Sequence, residues 1–109
     1  MNKPPIQPPV IVSESGDTDI FESVEDAEAY LEPYDVNVLV AYDSEGRLLR
    51  LVPTSPRITI EAEEWSPTHA ESARQLLVEF LSNLGVSDAE LETSSLPELV
   101  SASLKYKTT

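Results

Sequence analysis

RITIEAEEWSPTHAESARQLLVEFLSNLG, from Arg57 to Gly85, carries the two patterns on which the fold turns. Arg57–Glu63 alternates cleanly: Ile58, Ile60 and Ala62 face one way, while Thr59, Glu61 and Glu63 face the other. That is the period of a strand with one wet face. From Ser66 the period becomes helical. Ala70, Ala73, Leu77, Phe80, Leu81 and Leu84 form a wide apolar stripe, with Leu76 at its edge. Ser66-Pro67 supplies a cap and a first-turn proline, and Gly85 fits the left-handed position after the last turn, with Val86 as its apolar follow-up. A half-wet strand leading into a long one-sided helix predicts a sheet covered by that helix.

Upstream, Val36–Tyr42 is strongly β-prone and Arg47–Val52 is expected to return antiparallel to it. Asp43-Ser44-Glu45-Gly46 between them reads as a type I turn with Gly46 left-handed. A three-residue and a four-residue loop both fit, and they place different side chains opposite each other. Val10–Ser13 is a further short strand, closed by the turn-prone Glu14-Ser15-Gly16-Asp17. Ser23 with Asp26 resembles a capping box opening a helix over Val24–Leu31, which Pro33 stops. Downstream, Ser87 with Glu90 and Ser95 with Glu98 mark two further helices, near Asp88–Glu92 and from Leu96 to about Tyr106. The predicted order is β-α-β-β-β-α-α-α: an α+β domain whose antiparallel sheet of three to four strands is packed on one face by the long helix.

With 109 residues, a single domain over residues 10–109 is expected. Residues 1–9, with four prolines, read as a flexible, polyproline-like lead-in without the apolar run of a signal peptide. No stretch is long and apolar enough to span a bilayer. Absence of cysteine excludes disulfides and thiolate chemistry and suits a reducing compartment, so a cytoplasmic protein is expected.

Charge is the most informative feature for function. The formal net charge is −13, and between Lys3 and Arg47 stand eleven acidic residues without a single basic one. Such a one-signed block repels nucleic acid and anionic membrane and speeds the arrival of a cationic partner. Glu25, Glu28 and Glu32 share a helical stripe with no lysine at i+4, and Glu61, Glu63 and Glu64 precede the lone Trp65. Taken singly, each cluster reads as a solvated face. Together with Tyr34, Asp35, Tyr42, Asp43 and Glu45 they predict a partner-binding surface with aromatic anchors among the acids. The bland alternative for the tyrosines is half-buried packing.

Catalytic chemistry finds little support. His69 is the only histidine, has no triad spacing around it, and reads as an exposed helix residue. Asp17-Thr18-Asp19 begins like a calcium loop but lacks its glycine and closing glutamate. The glycines are too few for a phosphate cradle, so no enzyme, cofactor or metal site is expected.

Three phrases then carry a resemblance: Asp19-Ile20-Phe21-x-Ser23-Val24, Tyr30-Leu31-Glu32-Pro33-Tyr34-Asp35 and Tyr42-Asp43-Ser44-x-Gly46-Arg47. Over roughly Val10 to Gly85 the chain resembles small acidic immunity proteins of bacterial polymorphic-toxin systems, including contact-dependent growth inhibition. The resemblance implies a non-enzymatic antitoxin that binds the toxin domain of its own locus and occludes its active site. A basic nuclease is the toxin best matched to the charge, since nucleases need cationic grooves. A general protein-interaction adaptor is the alternative, and a small carboxylate hydrolase a third.

Overall fold

A computed structural model describes residues 3–108. Met1 and Asn2 of the expected lead-in, and Thr109, lie outside the described residues. The central strand is β1 (Val10–Glu14), whose Val10, Ile11 and Val12 are all buried. An unbroken apolar run of this kind marks a strand covered on both faces. It turns through Ser15 and Gly16, both at positive φ (45° and 94°), into β2 (Asp17–Phe21). Two consecutive left-handed residues suit the twist of a two-residue hairpin. β2 is the strand missing from the expected order, because Asp17-Thr18-Asp19 has the composition of a turn.

Helix α1 (Val24–Tyr30) begins at Ser23, whose hydroxyl accepts the Asp26 N–H at 3.1 Å. A 3-10 helix over Pro33–Val38 then replaces the first half of the expected Val36–Tyr42 strand. Pro33 sits in its first turn, and the Asp35 N–H donates to the Glu32 carbonyl. This turn lets Val36 and Leu39 both pack on the core, which an extended segment with alternating faces would prevent. Only Val40–Tyr42 remains as β3.

The β3–β4 connection takes the three-residue form. Gly46 (φ 90°) donates to the Asp43 carbonyl and Asp43 donates to the Arg47 carbonyl, which leaves Ser44-Glu45-Gly46 as the loop. β4 (Leu48–Pro53) and β5 (Ile58–Ala62) complete a five-stranded antiparallel sheet in the order β2-β1-β3-β4-β5. Ile58, Ile60 and Ala62 face inward as their alternation predicts.

The sheet is covered on both faces, not one. Val10, Val12, Phe21, Leu49, Ile58 and Ile60 pack with Ala27 and Leu31 from the α1 side. Ile11, Ile20 and Tyr42 pack on the other face against α2 (Ala70–Asn83), α3 (Asp88–Thr93) and α4 (Leu96–Ser103). The apolar stripe on α1, no more than Val24, Ala27 and Leu31, is sufficient because the sheet curls around it. Laid flat, five strands would hold the edges about 19 Å apart, and a seven-residue helix is only about 10 Å long. Yet α1 contacts both edge strands, and its Glu28 carboxylate accepts the Ile60 N–H of β5 at 2.8 Å.

Helix α2 starts at Ala70 instead of Ser66. The Glu64 carboxylate accepts both the amide and the hydroxyl of Thr68, while the His69 N–H donates to the Gly46 carbonyl. Those bonds hold residues 65–69 in a turn against the β3–β4 loop. At the far end, Leu84 is exposed and leaves the stripe. Ser95 and Glu98 form the reciprocal capping box on α4, but Ser87 makes no side-chain cap on α3. A 3-10 turn, Leu104–Tyr106, ends the helical part. Among the described residues no helix is long and apolar enough to cross a membrane.

Candidate protein-binding site

The register divides the sheet into two ends. β1 and β3 pair Ile11 with Tyr42 and Ser13 with Val40, so the β1–β2 tip and the β3–β4 loop lie at opposite ends. The acids predicted to share one surface are therefore split between them.

At the β3–β4 end the side chains serve the fold. Asp43 is fully buried. Its Oδ1 accepts the amides of Glu45 and Arg47, both at 2.9 Å, and its Oδ2 accepts the Gln7 amide at 3.1 Å and Arg47 Nη1 at 3.0 Å. Arg47 also donates to Glu45 Oε1 at 2.5 Å and, through Nε, to the Trp65 carbonyl at 2.9 Å. The hydrogen bonds that Arg47 donates to Glu45 first, and then to Asp43, raise its pKa above its already high value. Tyr42 is buried too, its ring 5.9 Å from that of His69. Both Tyr42 and Asp43 were expected to meet a partner. They instead build the frame of this end, since an acceptor enclosed by four donors has no face left to offer.

Glu64 is similarly engaged. The Thr68 hydroxyl, then the amides of Leu48 and Thr68 and the His69 ring, lower its pKa to about 2. Glu61 lies between Lys3 and Arg50, each 2.9 Å away, and its pKa is lowered chiefly by Lys3. Every displaced carboxyl pKa (Glu61, Glu64 and Glu98) moves down, the opposite of what a general acid needs. Glu45, Glu63 and Trp65 stay exposed at this end, and Glu25 stays exposed on α1.

At the opposite end four acids line a cleft, and of these Asp19 also accepts the Thr108 hydroxyl at 3.2 Å. A cleft of about 370 Å³ is lined by Glu14, Asp19, Glu32 and Asp35 together with Tyr30, Leu31 and Leu39. Glu14 and Asp19 come from the β1–β2 hairpin, Tyr30 from the end of α1, and Asp35 from the 3-10 helix. Among the described residues no basic side chain lines this cleft. Tyr30 is half exposed yet fixed, its ring centroid 5.3 Å from that of the buried Phe21. An aromatic edge held in place beside carboxylates loses little freedom when a cation docks on it. Tyr34, 79% exposed, lies on the same 3-10 helix.

Glu32, Tyr34 and Asp35, read from the sequence as partner-binding, lie at this open end with Tyr30, and Glu14 and Asp19 join them from a hairpin that the sequence reading did not place there. Their signal was present in the alternation Val12-x-Glu14 and Asp19-x-Phe21, which puts both acids on the Val12–Phe21 face once β2 is recognised. Glu14 also stands directly opposite Asp17 across the hairpin. Like charges at that spacing are destabilising, and a bound cation would relieve them. Among the described residues no three His, Asp or Glu side chains are placed to share a metal ion. Compared with known proteins, the chain matches no family model, no curated protein and no solved structure.

Proposed function

We propose that the protein is a cytoplasmic immunity protein, which binds a cognate basic toxin domain and neutralises it by covering its active site. The cleft of Glu14, Asp19, Glu32 and Asp35 around Tyr30, with no basic residue in its wall, is the observation that carries this reading. A nuclease is the toxin class that fits best, because its phosphate-binding groove presents the lysines and arginines that such a cleft receives. The base-free stretch from Lys3 to Arg47 supplies the long-range field that steers the encounter, and the fixed tyrosine supplies an anchor once contact is made.

Co-expression with the toxic domain encoded beside it tests the reading. Growth should be restored by the wild-type protein and lost when Glu32→Lys is combined with Asp35→Lys. Glu63→Lys, exposed at the other end of the sheet, should protect like wild type. Equal killing with and without the wild-type protein would sink the proposal. Association of the purified pair should slow as salt is raised, since steering between exposed charges is screened beyond roughly 10 Å at 0.1 M salt.

A further inference from the structure

The outer edge of β2 is closed by a segment that belongs to no strand. The Thr108 N–H donates to the Ile20 carbonyl at 2.7 Å, and the Ile20 N–H donates in turn to the Thr108 hydroxyl at 3.1 Å. That hydroxyl contacts Asp19 Oδ1 at 3.2 Å, and Lys107 Nζ pairs with Glu22 at 2.7 Å. The contact imitates one rung of an antiparallel ladder, with a side-chain oxygen standing where a neighbouring strand would offer a carbonyl. One residue of the imitation is basic and meets an acid.

Among the described residues the next rung is open. Ile20 turns both backbone groups outward, so by the strand's period of two Thr18 does the same. Among the described residues nothing bonds to the Thr18 backbone, and a second cleft of about 350 Å³ lies beside it. On one side of this edge stand Asp17 and Asp19. On the other are Phe80 and the exposed Leu84, at the end of α2. A strand added here would place alternate side chains against carboxylates and against an apolar ledge.

We propose that Lys107–Thr108 is a built-in stand-in for a strand of the partner, and that β2 is extended by a segment in which lysine or arginine alternates with apolar residues. The inference rests on the cationic-partner reading above and adds its mode of docking: backbone pairing at β2 supplies affinity, and the two-faced side-chain pattern supplies selectivity. Lys107–Thr108 must leave Ile20 for the strand to add, so it competes with the partner.

The probe is an acetylated, amidated peptide, Lys-Val-Lys-Val-Lys-Val-Lys, titrated into ¹⁵N-labelled protein at low salt, with Lys-Lys-Lys-Lys-Val-Val-Val as a control of equal composition. The alternating peptide should bind more tightly than the block peptide, shifting and protecting the Thr18 and Ile20 amides. Thr108→Pro, which removes both the amide and the hydroxyl that bond Ile20, should tighten its binding by at least about fivefold, the equilibrium worth of one net hydrogen bond. Lys107 has φ −57° and ψ 149°, a conformation that tolerates a following proline. Thr108→Val, which removes only the hydroxyl, should give a smaller gain in the same direction. Equal binding of both peptides, or no effect of either substitution, overturns the edge inference while leaving a cationic partner in place. Failure of both peptides to bind overturns the two together. Dimerisation of Thr108→Pro without peptide would make a second copy the occupant and also refute the inference.

Discussion

Replacing Asp43 by alanine should cost this domain about 3–5 kcal/mol, the usual price of removing one partner from a buried ion pair. Four donors converge on its carboxylate, and three of them are backbone amides that hold the β3–β4 loop and tie Gln7 to it. Without the carboxylate those amides lose their acceptor in a site closed to bulk water. The Arg47 guanidinium keeps only Glu45, which is half in solvent, and the Trp65 carbonyl. A domain of this size has about 5–15 kcal/mol of total stability, so the loss takes a large fraction of it. The assay is urea unfolding followed by tryptophan fluorescence, with Trp65 as the sole reporter. At a slope of roughly 2 kcal/mol per molar, the midpoint should fall by about 2 M with the slope unchanged. Asp43→Asn keeps the Oδ1 acceptor for Glu45 and Arg47 but sets a donor against Gln7 and Arg47 Nη1, so it too should destabilise. A loss under about 1 kcal/mol for Asp43→Ala would refute the assignment of Asp43 to the frame and return it to the candidates for partner contact.

Gly46→Ala should destabilise by about 2–4 kcal/mol in thermal unfolding, because the new Cβ combines a left-handed backbone with a steric clash. It would stand 2.4 Å from the Ala70 Cα, at a residue with φ +90°. Ser103→Ala should stabilise by about 1 kcal/mol, since it removes a buried hydroxyl that has no hydrogen-bond partner among the described residues. Glu64 should contribute to acid unfolding: its folded pKa is about 2 against an ordinary 4.5, so its contribution is complete above pH 4.5 and lost as pH falls towards 2. Stability curves of wild type and Glu64→Gln should therefore converge across that window, and curves that stay parallel would contradict the role given to its hydrogen bonds.

The elements that the sequence disclosed are those whose pattern is local. Ile58-x-Ile60-x-Ala62 and the Ala73-Leu77-Leu81 stripe each face one core, so period and burial coincide. Gly46 was readable because its left-handed conformation is demanded within a four-residue turn. β2 was not, because Asp17-Thr18-Asp19, its less buried half, has the composition of a loop. The second covered face escaped notice because α1 buries only Ala27 completely and its stripe is thin by helical standards. Its adequacy depends on the curl of the sheet, which is a property of five strands together. The start of α2 moved because Glu64 and Gly46, distant from any helix pattern, hold Thr68 and His69 by hydrogen bonds.

By itself the sequence determined the sign and scale of the field this protein presents, since at neutral pH the formal charge is a sum over residues wherever they lie. It also determined which segments could be strand or helix wherever hydrophobic period and one-sided burial agree. Only the tertiary structure decided what each carboxylate is for. Asp43 is enclosed by donors, Glu64 and Glu28 satisfy backbone amides, and Glu14, Asp19, Glu32 and Asp35 are left facing a cleft. An acidic side chain is read alike in every sequence position. Its role depends on whether a donor from a distant strand comes within about 3 Å, and that distance is set by register and curl.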